Sequence, residues 1–207
     1  MKKYKSYFKS ISIVLIVQAT IYFAIKLLLS NYNVITSLMS FPFIKWFVYF
    51  YDSWYPVVAI NAFIIYKYDK DNYKKLIYTM LLGAFISHIT FLIYPTILYR
   101  DEISVKTLTD LVLYITYKTD TPAVNCLPSV HCLFCFILMY YTMITKKLEI
   151  KYKIPIIIYL FVIVLSTVLI KQHIIEDAIL ALIYTIIVII FVGIFKDKLN
   201  KLFRFLF

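Results

Sequence analysis

Long apolar runs separated by short polar clusters make up most of the chain. They fall at about Ile11–Leu29, Tyr49–Tyr66, Leu76–Leu98, Ser129–Ile144, Ile154–Ile170 and Ile174–Phe195. A helix needs about 20 apolar residues to cross a bilayer. The pattern therefore predicts an all-α polytopic membrane protein, a six-transmembrane-helix bundle in a single domain over residues 1–207. The fifth and sixth runs nearly touch, which requires a tight turn near Lys171–Gln172. The one sizeable connection, Tyr99–Leu127, joins the third and fourth runs. Within it Leu108, Leu111, Val112 and Ile115 repeat at helical spacing, among polar Thr107, Asp110 and Thr116. This predicts a short amphipathic helix, either at the membrane interface or packed on the bundle.

Composition agrees with the pattern. The chain is 63% hydrophobic with only 2 glycines, against about 45–50% apolar, glycine included, in soluble domains. Mean hydropathy is +0.84. No internal repeat or low-complexity stretch interrupts it, and nothing calls for a second domain.

Charge sets the expected orientation. The net charge is +11, but the lysines sit between apolar runs and form no basic groove, so nucleic acid is not an expected partner. The clusters are Lys2/Lys3/Lys5/Lys9, Lys67/Lys70/Lys74/Lys75, Lys146/Lys147/Lys151/Lys153 and Lys196/Lys198/Lys201/Arg204; together they hold 16 of the 22 Lys and Arg. They occupy alternate connections. The positive-inside rule then puts both termini in the cytoplasm of a plasma-membrane protein, with Arg100, His131 and His173 on the outer face. The lysine-rich start resembles a signal peptide. The run that follows is too long for a signal core and has no small-residue cleavage site, so it reads as a retained first span. Trp46, Trp54 and many tyrosines near span ends read as an interfacial belt.

Ionisable residues at membrane depth point to function. His131 and His173 stand at outer span ends. His88 lies deeper and reads as an interior histidine, and Lys26 as a snorkelling or bundle-packed lysine. Asp177 follows His173 by four residues, which on a helix brings the Cβ atoms within roughly 5–6 Å. A carboxylate there can accept a hydrogen bond from one imidazole nitrogen and leave the other free to attack. Ser129 opens the fourth run after Pro128, where helix N–H groups favour an anion. It also reads simply as an N-cap. Cys126, Cys132 and Cys135 are odd in number, which does not indicate a disulfide framework; the last two read as small core residues.

These stretches resemble the type 2 phosphatidic acid phosphatase superfamily of membrane lipid phosphatases and phosphotransferases, from about Phe41 to the sixth run. The likeness is narrower to the branch related to inositol phosphorylceramide synthase. The second family block is intact as Pro128-Ser129-Val130-His131. The third keeps Ser166, His173 and Asp177, with Thr167 in place of the usual arginine and Lys171 two residues before the histidine. The first keeps Arg100, with Asp101 for the usual proline and Ile93 at the usual lysine position.

The resemblance implies metal-independent chemistry with no cofactor, on a phospholipid or lipid phosphate in the membrane. His173 attacks phosphorus and forms a phosphohistidine, Asp177 orients it, and His131 protonates the leaving oxygen. Arg100, Ser129 and Lys171 hold the phosphate oxygens. Hydrolysis and transfer to an alcohol differ only in what attacks the phosphohistidine. Other classes open to the sequence are an inactive scaffold or transporter on the same fold, and a metalloenzyme using two histidines and a carboxylate.

Overall fold

The computed structural model describes residues 4–207; Lys2 and Lys3 of the first basic cluster lie outside the described residues. In chain order the helices are α1 (Lys5–Leu28), α2 (Val48–Asp52), α3 (Trp54–Tyr68), α4 (Lys70–Ile93), α5 (Leu108–Thr119), α6 (Val130–Ile144), α7 (Ile150–Leu169) and α8 (Ile175–Leu202). Short 3-10 turns cover Lys45–Phe47 and Arg204–Leu206. The fold is all-α apart from two two-residue strands, β1 (Asn33–Val34) and β2 (Thr96–Ile97).

Among the described residues, α1, α4, α7 and α8 are long and apolar enough to cross a membrane, and they mark an integral membrane protein. The second and fourth apolar runs give shorter helices. α3 and α6 have 15 residues each, about 22 Å at 1.5 Å per residue. The second run is split because Pro56 sits in the first turn of α3. Its ring has no N–H and crowds the carbonyl four residues back, so the chain turns at Ser53. The third run stops being helical at Ile93, not at Leu98. Tyr94 precedes Pro95, which disfavours the α region, and the chain passes into β2. α8 continues to Leu202, but its backbone leaves helical geometry at Phe195, where the sixth run ends.

α6 is the hub of the bundle, packing on α3, α4, α7 and α8. Cys132, Leu133, Phe134, Cys135, Ile137 and Leu138 on it are fully buried. Gly83 lets α4 come close, since a Cβ there would stand 3.1 Å from Leu133 Cδ2. Small residues serve this purpose at helix contacts in membranes.

A cap of extended chain sits at the His131 end. β1 pairs in parallel with β2. Leu98 N–H donates to Ala123 O at 2.9 Å and Asn125 N–H to Thr96 O at 2.7 Å. These bonds tie the chain after α4 to the chain before α6, and so fix Arg100 and Asn125. α5 begins with a reciprocal cap between Thr107 and Asp110, and Lys45 Nζ pairs with Asp110 at 2.7 Å. Leu113 and Tyr117 pack against Val48, Tyr51 and Ile170. Leu108, Leu111 and Ile115, whose spacing marks the helix in the sequence, are exposed.

Candidate active site

The turn between α7 and α8 presents His173. The N–H groups of Gln172 and His173 both donate to Thr167 O at 3.0 Å. Lys171 closes the turn with a left-handed φ of 56°, uncommon for a side chain of this kind. In the first turn of α8, Asp177 Oδ2 accepts from His173 Nδ1 at 3.0 Å and from Ile174 N–H at 3.1 Å. Asp177 is fully buried. With the proton held on Nδ1, the Nε2 lone pair is the nucleophilic one.

His131 lies at the start of α6. Ser129 caps the helix, its Oγ accepting from Cys132 N–H at 3.3 Å. Ser129 N–H donates to Asp177 O at 3.2 Å, joining the starts of α6 and α8. The two imidazoles end 6.0 Å apart, centroid to centroid. His131 is stacked on Tyr51 at 4.8 Å and lies 4.5 Å from the ring of Trp54. Trp54 Nε1 also donates to His131 O at 3.2 Å.

Both histidines wall a chamber of about 230 Å³. Its lining includes apolar Leu15, Ala19, Phe23 and Phe91 and polar Tyr22, Asp120 and Asn125. Arg100 packs against Asp120. Its side chain is 6% exposed, sits on the Tyr117 ring at 4.4 Å and donates to Gln172 Oε1 and to Asp120 O at 3.2 Å. Lys171 Nζ donates to Phe41 O. Arg100 and Lys171 line an adjoining pocket of about 280 Å³, which shares His173 with the chamber. Of the expected site residues, His131 and His173 line the chamber, Arg100 and Lys171 line the adjoining pocket with His173, and Ser129, fully buried, lines neither.

Burial pushes the Asp120 carboxyl above its ordinary range; Arg100 and a hydrogen bond from Tyr22 oppose this and do not cancel it. Burial also raises the Tyr117 phenol to about 12, again against Arg100.

Residues 72–201 match the model of the PAP2 superfamily. The chain belongs to the PAP2 superfamily. The match takes in α4 to α8 and with them Arg100, both site histidines and Asp177, and it leaves out α1 to α3. No curated protein and no solved structure matches the chain. PAP2 membership implies lipid phosphate phosphatase or phosphotransferase chemistry. It also gives the sequence departures a structural setting. Thr167 is buried between α7 and α6, bonding Val164 O at 2.8 Å and touching Cys132 Sγ at 3.5 Å. Ile93 is 78% exposed at the end of α4.

Four contributors are not marked by the sequence pattern. Trp54 reads there as a belt residue but is 2% exposed, against His131. Tyr51 is one of 20 tyrosines with nothing to single it out. Asp120 and Asn125 lie in irregular chain whose path is set by the β2 contacts, and no local periodicity announces that.

Proposed function

We propose that this PAP2 protein is a metal-independent membrane phosphatase that hydrolyses lipid phosphate esters through a phosphohistidine on His173. The observation that carries the reading is the histidine pair, 6.0 Å apart, of which one member, His173, holds a carboxylate at 3.0 Å. Asp177 keeps the Nδ1 proton on His173, so Nε2 attacks phosphorus. His131 gives its proton to the departing lipid oxygen and then takes one from the incoming water. The N-terminus of α6, capped by the buried Ser129, favours the anion from one side. Arg100 and Lys171 supply positive charge from the adjoining pocket.

α3 and α6 complete six spans in this reading, although both are short for a bilayer. The alternating lysine clusters support cytoplasmic termini and an active site at the outer face. A second reading, transfer to an alcohol as in the inositol phosphorylceramide synthase branch, is favoured by the apolar residues in the chamber lining. A lipid alcohol would pack its chain against Leu15, Phe23 and Phe91.

The test is covalent trapping. Purified protein incubated with phosphate-labelled lipid should carry acid-labile phosphate, and His173→Ala should carry none. Label on His131, or undiminished turnover by His173→Ala, would overturn the assignment.

A further inference from the structure

Asn125 is 3% exposed, and neither its Oδ1 nor its Nδ2 has a hydrogen-bond partner. A buried amide left unpaired is costly, and such groups in native proteins call for an explanation. The backbone alone does not supply one. Asn125 has a left-handed φ of 56°, which asparagine tolerates better than most residues. Glycine would take that conformation with no amide to bury. The segment is also pinned: Asn125 N–H donates to Thr96 O at 2.7 Å, and Cys126 N–H to Thr96 Oγ1 at 3.0 Å. The amide is thus carried by a fixed stretch of chain that makes no use of it.

Asn125 lines the chamber that holds His131 and His173. Other donors in that lining are engaged: the Tyr22 hydroxyl donates to Asp120 Oδ1 at 2.9 Å, the Thr119 hydroxyl to Thr116 O at 2.9 Å, and Trp54 Nε1 to His131 O at 3.2 Å. Arg100 and Lys171 line the adjoining pocket with His173. Among the described residues, the chamber lining itself holds no Lys or Arg. A phosphoryl group in transfer spreads its charge over three equatorial oxygens. Oxygens turned to the adjoining pocket meet the cations. One turned to the chamber needs a neutral donor, and a donor fixed in advance, away from water, stabilises developing charge best. The Asn125 amide has two N–H groups and an acceptor to offer there.

We propose that Asn125 is a catalytic residue, its Nδ2 donating to the chamber-side oxygen of the phosphoryl group as that group passes to and from His173. The proposal rests on the phosphohistidine reading and adds to it a donor that carries no charge. As the bond from His173 Nε2 to phosphorus forms, the bond from phosphorus to the lipid oxygen breaks, and the His131 proton goes to that oxygen. In the second step the oxygen of water bonds to phosphorus, the bond from phosphorus to Nε2 breaks, and one water proton passes to His131. Asn125 gains and loses no proton in either step. Its Nδ2 bonds the phosphoryl oxygen most strongly in the transition state, and its Oδ1 is the acceptor left for the hydrogen that the incoming water keeps.

The experiment uses the purified full chain and Asn125→Gly, which suits the left-handed φ and removes only the amide. Orthovanadate, which adopts the five-coordinate geometry of phosphoryl transfer, is the probe and needs no turnover. Inorganic phosphate is its ground-state counterpart, and both affinities are read by calorimetry. Asn125→Gly should weaken orthovanadate binding by about 10²-fold or more, and kcat on phosphatidic acid should fall in step by about 10²–10³-fold, the usual effect of removing one preorganised donor. Phosphate affinity and KM should change by less than about threefold, because the bond is made chiefly in the transition state. Unchanged orthovanadate affinity overturns the proposal. So does an equal loss of orthovanadate and phosphate, which marks a residue that only shapes the chamber. In both cases the phosphohistidine stands as long as orthovanadate binding needs His173. No orthovanadate binding by wild type, or equal binding by His173→Ala, takes down both readings. Should Asn125→Gly fail to fold, Asn125→Asp carries the test, since it keeps the shape, accepts the left-handed φ and has no N–H. A loss larger for orthovanadate than for phosphate then supports the proposal, and an equal loss or none overturns it.

Discussion

His131 is stacked on Tyr51, with centroids 4.8 Å apart and ring planes 29° from parallel. His173, its counterpart, is held by a carboxylate. The difference suits two roles. In the proposed mechanism a nucleophile needs one tautomer, which the Asp177 carboxylate at Nδ1 favours. The acid of that mechanism needs its charged form supported and its ring aimed, and the faces of Tyr51 and Trp54, in contact with His131, are placed for both without fixing a proton. In the proposed mechanism, His131→Ala should slow turnover of a lipid alkoxide by about 10²–10⁴-fold, the usual worth of a general acid. The loss should be much smaller for a nitrophenolate leaving group, which departs without protonation. Trp54→Leu should show the same leaving-group dependence at about 2- to 30-fold, for cation–π support of roughly 0.5–2 kcal/mol. Equal losses on both substrates would mean that Trp54 only props up the fold.

Asp177→Asn tests the other histidine. The side chain keeps its shape, but His173 Nδ1 and Ile174 N–H both bond the one oxygen Oδ2, so an amide group there serves only one of them. The amide can present N–H to His173 Nδ1 and leave the proton on Nε2, where attack needs a lone pair. The rate should fall by on the order of 10²–10⁴-fold, while binding of a non-reactive lipid phosphate analogue changes little. Loss of binding in step with the rate would contradict a tautomer role.

How much of this was legible in the sequence follows from the range of the forces involved. His173 and Asp177 are four residues apart on one helix, so their pairing is local and readable. The long apolar helices are readable for the same reason. The aromatic seat of His131 depends on α2 and α3 packing against α6, far apart in sequence. The split of the second apolar run at Ser53 was open to inspection through Pro56, but the run's apolar content masked it. The β1–β2 cap rests on backbone bonds between distant segments, and these leave no periodic trace. That is why Asp120 and Asn125 emerge only from the structure.

The start of α5 should be acid-sensitive. Lys45 and the Thr107 hydroxyl hold the Asp110 carboxyl down to about 2 from an ordinary value of 3.8. A depressed carboxylate stabilises the fold fully above its unfolded pKa, and the contribution is lost as pH falls through the folded value. Protection of α5 against pepsin, relative to Asp110→Asn, should therefore be largest near pH 4 and vanish toward pH 2. A ratio that stays constant across that window would show that Asp110 does not couple to the helix. Thr107→Ala should cost about 1 kcal/mol as a lost N-cap.

The proposed orientation places residues 99–128 outside the cell, and the protein's own cysteines make this a clean measurement. Cys126, Cys132 and Cys135 are all buried, so a membrane-impermeant maleimide has little native background. Ser104 is exposed in the chain leading to α5, clear of Arg100 and of the chamber. Ser104→Cys should label in intact cells, and Lys147→Cys, at an exposed position between α6 and α7, only after permeabilisation. The lysine clusters motivate both expectations, because the connections that hold them should remain cytoplasmic. The reverse pattern would turn the active site to the cytoplasm and leave the charge distribution without its topological meaning. Labelling of both positions from one side would mean that α6 does not cross, in keeping with its 15-residue length. The six-span reading would then fall.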